Sequence, residues 1–335
     1  MKLRVFGIIL IFLSACAEPD LTPETNYFPN DFPTLAENQT ALNKEIIDLG
    51  KQLFFDQHLS ANGEVSCASC HLPEMSFTDG EALASNGVSG NQLERHSPAL
   101  VNLAYMDNGL FWDGGAKNLE SLVFAPLTHP DEMGADLEEV NNYLAKGFYE
   151  SAIKSAFKVD EVKVQYAAKA IAQYLKTLVS DQSKYDSMRR GLVNFNNEEQ
   201  KGYELFKANC SSCHTEPLLT DNSFHNNGLD ASFDTADESL HSGRYRISHK
   251  VEDIGKFKTP TLRNVVITAP YMHDGRFKSL DQVLNHYQNG INNSATLDPL
   301  LINDNSLGIA FTTDEKASLM AFLQTLTDSS FTKQH

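Results

Sequence analysis

The sequence predicts a mainly α-helical protein made of two similar domains in tandem, with long loops between the helices. Three observations support this fold class. Apolar residues recur at helical spacing where the sequence is regularly patterned, and no segment is rich in strand-forming residues. Several short motifs occur twice in the same order. The chain has 335 residues, which is long enough for two domains of ordinary size.

The repeated motifs indicate an internal duplication. In each copy a glycine is followed by leucine and phenylalanine at i+3 and i+4, which places all three on one face of a helix. A glycine on that face lets another helix or a flat group come close. The matched pairs are Gly50-x-x-Leu53-Phe54 with Gly202-x-x-Leu205-Phe206, Ser97-Pro98-Ala99-Leu100-x-Asn102 with Thr259-Pro260-Thr261-Leu262-x-Asn264, and Trp112-Asp113-Gly114 with His273-Asp274-Gly275.

The most informative repeat is a cysteine motif. The two copies are Cys67-Ala68-Ser69-Cys70-His71 and Cys210-Ser211-Ser212-Cys213-His214. Cys-x-x-Cys-His is the attachment site of a c-type heme, whose iron the histidine binds. A zinc site, a redox dithiol or a disulfide also uses Cys-x-x-Cys, but a histidine following it twice favours heme. We predict two cytochrome c-like domains with covalent hemes, ligated by His71 and His214.

The N-terminus predicts export. Lys2 and Arg4 precede a short apolar stretch, residues 5–13, which is too short to span a bilayer as a mature helix. Leu13-Ser14-Ala15-Cys16 resembles a bacterial lipoprotein box, which predicts a periplasmic protein anchored through a lipid on Cys16; a plain cleaved signal is the alternative. The formal net charge of −17 disfavours nucleic acid and anionic membrane surfaces as partners.

Composition and patterning divide the chain into four parts. We predict a signal peptide over 1–16, a flexible tether over 17–40, a first heme domain over 41–190 and a second over 195–330. Two helices are expected from apolar stripes, and Thr312-x-x-Glu315 predicts a capping box for the second. The stripes are Tyr166, Ala170, Ile171, Tyr174 and Leu178, and Leu319, Phe322, Leu323 and Leu326.

From about residue 40 to 330 the sequence resembles the diheme cytochrome c peroxidase family, which includes the MauG-like enzymes. Besides the cysteine motifs, the resemblance rests on three further segments. They are Phe111-Trp112-Asp113-Gly114, Pro130-x-Glu132-Met133, and Thr259-Pro260-Thr261-Leu262-Arg263-Asn264 followed by Pro270-Tyr271-Met272-His273-Asp274-Gly275. The resemblance implies that the heme at His71 meets hydrogen peroxide and that the heme at His214 relays electrons.

The resemblance also assigns roles to three side chains of the first half. Glu132 matches a distal glutamate that moves a proton while the O–O bond is split; an exposed carboxylate after a proline turn is the alternative. Pro126 matches a proline that lines the same pocket. Trp112, the only tryptophan, matches a residue that lies between the hemes and relays electrons. A core aromatic is the alternative, and both roles are compatible.

Several positions depart from the family pattern. The loop 78–90 lacks the histidine that blocks the first iron in many relatives, so we expect an open iron there, with His96 and His129 as the nearest alternative ligands. Leu122 replaces a usual glutamine, and Gly115 replaces a frequent arginine. These changes predict a first heme that is accessible without prior reduction.

A calcium ion between the domains is a second implication of the resemblance. The backbone carbonyls of Thr268 and Pro270 match two of its ligands. His96 stands where relatives usually have an asparagine ligand, and calcium prefers oxygen to imidazole nitrogen. That substitution argues against occupancy.

The second heme has three candidates for its other ligand. Tyr287 lies 14 residues after His273, where peroxidases of the family have methionine and MauG-like enzymes have tyrosine. A phenolate lowers the reduction potential relative to methionine. His286 and Met272 are the alternatives. We expect Tyr287 to be the ligand.

These residues lead to three functional hypotheses. The first is a peroxidase that reduces hydrogen peroxide with electrons from a small cytochrome c or a cupredoxin. The second is a MauG-like enzyme that uses peroxide to oxidise tryptophan of a partner protein. The third is a non-enzymatic electron carrier. The resemblance adds a homodimer as the expected assembly.

Overall fold

A computed structural model describes residues 27–36, 40–233, 235, 240–303 and 306–334. The predicted signal peptide with Cys16, and residues 17–26 and 37–39 of the predicted tether, lie outside the described residues. The fold is mainly helical, as the sequence predicts. The helices are α1 Lys44–Phe54, α2 Leu119–Thr128, α3 Leu137–Leu144, α4 Gly147–Phe157, α5 Val164–Lys176, α6 Lys184–Arg189, α7 Asn197–Asn209, α8 Tyr245–Ser248, α9 Leu280–Asn285, α10 Thr313–Gln324 and α11 Phe331–Gln334.

The strands are very short. The first pair is β1 Phe224–His225 with β2 Phe257–Lys258, and the second is β3 Ile302–Asn303 with β4 Ser306–Leu307. Both pairs are antiparallel. Single-turn 3-10 segments and long loops connect the helices. Among the described residues, no helix is both long enough and apolar enough to cross a bilayer.

The first apolar core forms where α1 crosses α5. A Cβ atom at Gly50 would lie only 2.0 Å from the Ala170 carbonyl oxygen, so the two backbones meet at a distance that only glycine allows. Leu53 and Phe54 on α1 are buried there, as are Ile171 and Tyr174 on α5. The predicted close approach at the repeated glycine is confirmed.

The second core repeats this crossing with α7 and α10. A Cβ atom at Gly202 would lie 1.9 Å from the Ser318 carbonyl oxygen. The rings of Phe206 and Phe322 pack beside it, with centroids 4.9 Å apart. Thr312 caps α10 through a reciprocal bond with Glu315, which confirms the predicted capping box.

The duplication extends to unusual backbone angles. Asn102 and Asn264 both adopt left-handed conformations, with φ of 56° and 61°, and Phe111 and Met272 do so at 63° and 75°. Phe111 follows Leu110, which forms an antiparallel bridge with Ala116, and Met272 follows Tyr271, which forms the equivalent bridge with Phe277. The chain therefore contains two copies of one structural unit.

The two copies meet through their repeated asparagines. The Asn102 side chain accepts from the backbone of Ser180 at 2.9 Å, and Asn264 donates to the Ser180 hydroxyl at 3.2 Å. Asn264 also accepts from the Asp328 backbone at 2.7 Å. Phe331 of α11 crosses back to pack on Phe77 of the first core. These contacts hold the sites of the two copies in one orientation.

Candidate heme and peroxide site

The first cysteine motif forms a 3-10 turn that presents His71. The Ser66 backbone donates to the Ser69 hydroxyl at 3.0 Å, and the His71 backbone donates to Cys67 at 3.0 Å. The His71 Nδ1 atom lies 2.7 Å from the carbonyl oxygen of Phe77. A carbonyl only accepts, so Nδ1 carries the proton and Nε2 keeps a lone pair for a metal.

The loop that supplies this carbonyl needs a strained backbone. Ser76 and Phe77 both have positive φ, 57° and 60°. The Phe77 backbone donates back to Leu72 at 2.8 Å, which closes the loop beside the histidine. Burial lowers the pKa of His71, so the ring stays neutral. A neutral imidazole with a fixed tautomer is the form that binds iron.

Cys67 and Cys70 are partly buried, and the surroundings of Cys67 are apolar. Both cysteines are free thiols, and burial raises the pKa of each to about 12. An apolar cavity adjoins Cys67. Its lining consists of Leu59, Cys67, Val123, Leu127, Met133, Val140, Val164, Ala167, Ala168 and Ile171. A heme attached at these thiols fits that chemistry.

Glu132 is placed near this motif by a turn that folds back on α2. The Met133 backbone donates to Pro126 at 3.1 Å, and the Glu132 backbone donates to His129 at 3.0 Å. The Glu132 charge contributes to the raised pKa of Cys67 and of Cys70, so its carboxyl acts electrostatically on both thiols. Burial raises the pKa of Glu132 itself, against a smaller lowering by His129.

The loop 78–90 packs onto the Glu132 turn rather than standing free. The Val88 backbone donates to the Glu132 carbonyl at 2.8 Å, and a Cβ at Gly87 would lie 1.8 Å from the Asp131 carbonyl. His129 is half exposed, with Nδ1 3.8 Å from the Glu132 carboxylate. The loop therefore supports the glutamate.

His96 is buried on the other side of this half. Its Nδ1 lies 2.7 Å from the Glu81 carbonyl and its Nε2 lies 3.3 Å from the Thr78 hydroxyl. Both ring nitrogens are thus engaged in local hydrogen bonds. To bind iron through either nitrogen, His96 would first have to break the hydrogen bond at that nitrogen.

Trp112 lies between the two copies of the repeat. Its Nε1 donates to the His96 carbonyl at 2.9 Å, and its own carbonyl accepts from the Lys258 backbone at 2.8 Å. His96 belongs to the first copy and Lys258 to the second. Trp112 is therefore hydrogen-bonded to both halves, through its indole to the first and through its backbone to the second.

A cluster of arginines surrounds Asp113, the residue that follows Trp112. Asp113 is fully buried and accepts from Arg95 at 2.8 Å and from Arg246 at 2.8 Å. Arg244 donates to the Asp113 carbonyl at 2.9 Å. The guanidinium groups hold the pKa of Asp113 below its usual range although burial alone would raise it. Two arginines on the carboxylate and a third on the backbone carbonyl leave an excess of positive charge beside Trp112.

The second motif repeats the geometry of the first. His214 Nδ1 lies 3.1 Å from the carbonyl of Leu219, a residue with φ of 58°. Burial lowers the pKa of His214 and raises the pKa of Cys210 to about 12 and of Cys213 to about 11. This histidine is again neutral, with Nε2 left for a metal.

At the second motif, the side chain that corresponds to Glu132 of the first is the phenol of Tyr287. Tyr287 lies in a π-helical turn, His286–Gly290, that continues α9. Burial raises the pKa of Tyr287 to about 12, and the charges of Cys213 and Cys210 add to the rise. Wide turns of this kind often occur at functional sites.

The two alternative ligands lie on either side of Tyr287. The Asn227 amide nitrogen is 3.5 Å from the Tyr287 hydroxyl and 3.5 Å from the Met272 sulfur, so these two groups are neighbours. Met272 has a positive φ of 75°, a strained conformation for this residue type. The His286 ring instead bonds to backbone, with Nε2 3.0 Å from the Asn227 carbonyl.

Similarity to known proteins identifies the family. A family model described as di-haem cytochrome c peroxidase matches residues 44–194. The chain is 34% identical to a cytochrome c551 peroxidase of Nitrosomonas europaea, over 86% of this chain and 81% of the relative. It is 35% identical to the methylamine utilization protein MauG of Methylorubrum extorquens, over 85% of this chain and 79% of the relative. This chain belongs to the di-heme cytochrome c peroxidase family.

A solved structure agrees with this membership. A MauG-like protein associated with microbial copper homeostasis superposes with a TM-score of 0.81 at 31% identity, over 91% of this chain and 96% of that one. Members of the family bear two hemes and are oxidoreductases that act on peroxide. Relatives named as peroxidases and as MauG match about equally well, so similarity alone favours neither.

The sequence did not reveal one buried cluster of this peroxidase. His225 is half-buried in β1, between Asp221 at 2.8 Å and Asp298 at 2.5 Å. The Asp221 bond raises the pKa of His225. Asp298 is 73 residues from His225, and no local pattern indicates such a pair.

The residues of the expected calcium site lie within the part of the chain that the structure describes. Thr268 follows the 3-10 turn Val265–Ile267, and its hydroxyl donates to the Val265 carbonyl at 3.3 Å. Pro270 follows a cis peptide bond with Ala269. His96, in the position of the usual asparagine, is bonded to Glu81 and Thr78. Calcium at the Thr268 and Pro270 carbonyls stays a prediction.

Proposed function

We propose that this chain is a peroxidase with unequal heme sites, in which the first reacts with hydrogen peroxide and the second receives electrons. One observation supports this most strongly. Two motifs with the same histidine geometry are paired with different side chains, a carboxyl with a raised pKa at the first and a buried phenol at the second. Peroxide cleavage needs a proton carrier, whereas electron transfer does not.

The proposed cofactors are two c-type hemes in two tandem domains, 41–190 and 195–330. Cys67 and Cys70 would bond to one and Cys210 and Cys213 to the other, with His71 and His214 as iron ligands. Bound there, the hemes supply an iron that accepts peroxide and a second redox centre. The free thiols and the apolar cavity beside Cys67 fit these groups. Each covalent bond would show as a heme-sized mass on the corresponding peptide.

Glu132 would take the proton from the inner oxygen of peroxide and return it to the outer oxygen as water leaves. Its raised pKa suits a group that must both accept and donate a proton. Pro126 is tied to this turn through its carbonyl. Leu122 and Gly115, where relatives have polar side chains, leave Glu132 as the proposed proton carrier.

Trp112 would conduct electrons between the two sites. It is bonded to both copies of the repeat, and an indole can be oxidised by one electron. Arg95 also carries a buried Nε atom with no acceptor among the described residues. A heme carboxylate would satisfy this donor, because an unpaired buried donor is costly.

The electron source would be a small cytochrome c or cupredoxin, and the setting would be the periplasm, with a lipid on Cys16 as the membrane anchor. A MauG-like activity, oxidation of tryptophan in a partner protein, is the second candidate. The Tyr287 phenol near the second motif favours it, since such a ligand stabilises oxidised iron. Calcium at Thr268 and Pro270 and a homodimer complete the proposal, to be checked by metal analysis and sedimentation.

The two activities can be separated by one experiment on the two-heme protein. Peroxide is added to the fully oxidised protein without reductant, and then to the protein with reduced cytochrome c. Rapid cytochrome c oxidation with no lasting change in the protein alone supports the peroxidase. A long-lived oxidised protein that turns over no cytochrome c supports the MauG-like activity. An electron paramagnetic resonance spectrum of the oxidised protein without high-spin heme would support the third hypothesis, a non-enzymatic electron carrier.

A further inference from the structure

Two tyrosines share one carboxylate at the surface of the first half. The Tyr149 hydroxyl donates to Asp56 Oδ2 at 2.7 Å, and the Tyr143 hydroxyl donates to the same atom at 2.9 Å. The other oxygen, Oδ1, accepts from the His58 backbone at 2.9 Å. The Tyr143 and Tyr149 rings are 5.6 Å apart. We call Asp56, Tyr143 and Tyr149 the tyrosine cluster.

The tyrosine cluster adjoins the wall of the cavity beside Cys67. Leu59 and Val140 line that cavity. Val140 and Tyr143 lie on the same helix, α3, and are separated by about 5 Å along its axis. His58, the neighbour of Leu59, stacks on Tyr143 with ring centroids 5.6 Å apart. The cluster is thus linked to the cavity wall through α3 and through the chain neighbours His58 and Leu59.

A second set of contacts leads from His71 to the same place. The Phe77 carbonyl accepts from His71, and the Phe77 ring lies 6.0 Å from that of Phe54. Phe54 is 5.4 Å from Phe55, the residue before Asp56. Ring contacts therefore lead from the loop that holds His71 to Phe55, the chain neighbour of Asp56.

The cluster also reaches solvent. The Phe148 ring packs on Tyr149 at 5.5 Å and is 61% exposed. The His58 side chain is 71% exposed. Tyr143 and Tyr149 themselves are half-buried. A small aromatic molecule could pack against these rings without any opening of the fold.

We propose that the tyrosine cluster is a second oxidation site, at which small phenols are oxidised by the peroxide-treated enzyme. This rests on the proposed heme at Cys67, Cys70 and His71. The Tyr149 O–H bond breaks, its electron passes to the peroxide-oxidised heme site, and its proton passes to Asp56 Oδ2. A phenol then gives one hydrogen atom to the tyrosine radical, and Asp56 releases its proton to water. The phenol leaves as a radical.

The hydrogen bonds fit this chemistry. Oxidation makes a phenol a strong acid, so a proton acceptor must already be in place. Burial raises the pKa of both tyrosines, to about 12 for Tyr143, so both keep their protons at rest. Against the effect of its own burial, the bonds from Tyr149, His58 and Tyr143 lower the pKa of Asp56, which therefore stays ionised.

The test compares four forms of the two-heme protein: wild type, Tyr143→Phe/Tyr149→Phe, Asp56→Asn and the control Tyr166→Phe. Tyr166 belongs to the same half and packs on Phe157 at 5.1 Å. Two rates are measured for each form, the peroxide-dependent oxidation of 2-methoxyphenol and of reduced cytochrome c. Peptides are also analysed by mass spectrometry after peroxide is added without reductant.

We expect the double variant and Asp56→Asn to lose phenol oxidation by roughly a hundredfold, the lower end of what a positioned proton acceptor contributes. Oxidation of cytochrome c should be unchanged in both, and Tyr166→Phe should match wild type. Oxidative modification should map to Tyr143 or Tyr149. Unchanged phenol oxidation in the double variant, with cytochrome c still oxidised, would overturn this proposal alone. A wild type that oxidises neither substrate would overturn the proposed function as well.

Discussion

Glu132→Gln is the most direct perturbation of the proposed peroxide site. The amide has the shape of the carboxyl but cannot carry the proton. Backbone hydrogen bonds hold the turn around Glu132. The Val88 nitrogen donates to the Glu132 carbonyl at 2.8 Å, and the Met133 nitrogen donates to the Pro126 carbonyl at 3.1 Å. The substitution therefore leaves the turn and both cysteine motifs in place.

The size of the expected activity loss follows from the proton that Glu132 would transfer. A positioned acid–base contributes about 10²- to 10⁴-fold, so we expect kcat/KM for peroxide to fall by that factor, or about 3–5 kcal/mol of barrier. The carboxyl must be ionised to accept the proton, and burial raises its pKa above the usual 4.5. Wild-type activity should thus decline as the pH is lowered through this raised pKa, and the variant should lack that decline.

Stopped-flow oxidation of reduced cytochrome c by peroxide measures both effects. The matched control is Asp131→Asn, which removes the adjacent carboxylate. That carboxylate is exposed and accepts from Ser89 and Asn91 at 2.9 and 2.8 Å. Heme content is determined for each variant. A Glu132→Gln protein that turns over as fast as Asp131→Asn would refute the assignment.

Three further predictions concern the second half. Tyr287→Met should raise the potential of the second heme in a spectroelectrochemical titration, because methionine favours reduced iron; an unchanged potential would rule out the phenol as ligand. Arg263→Met leaves Asp186 buried without its two guanidinium bonds, at 2.9 and 2.8 Å, and should cost about 3–5 kcal/mol of unfolding free energy in urea. The double variant Arg263→Met/Asp186→Leu should regain much of the lost unfolding free energy. A double variant no more stable than Arg263→Met would contradict the pairing. The bond to Asp221 raises the pKa of His225, so its contribution to stability is full below about pH 6.5 and is lost as pH rises through the raised value. Relative to His225→Asn, urea stability should therefore fall toward alkaline pH, and a rise would contradict the linkage.

The sequence predicted features whose cause is local. A cysteine motif binds heme through five consecutive residues, and a capping box acts across one helical turn. For that reason the Thr312–Glu315 cap and the glycine crossings at Gly50 and Gly202 are confirmed in the structure. The family resemblance added Glu132 and Trp112, because their roles depend on motifs that are also contiguous.

Other features depend on residues far apart in the chain. Asp56 is 93 residues from Tyr149, and Asp298 is 73 residues from His225. Arg263 pairs with Asp186 at a separation of 77 residues. No periodicity links such residues, since their meeting depends on how the helices pack. Each pair is identified only by its hydrogen bonds in the tertiary structure.

By itself, the sequence determined that this protein is mainly helical and contains two Cys-x-x-Cys-His motifs, because such a motif and a helical pattern each consist of neighbouring residues. The tertiary structure decided how the two motifs differ. Packing couples the Glu132 carboxyl electrostatically to the first pair of thiols and the Tyr287 phenol to the second, and it turns the Phe77 and Leu219 carbonyls onto the histidines. The chemistry of each site depends on these contacts, which form only when distant segments are packed together.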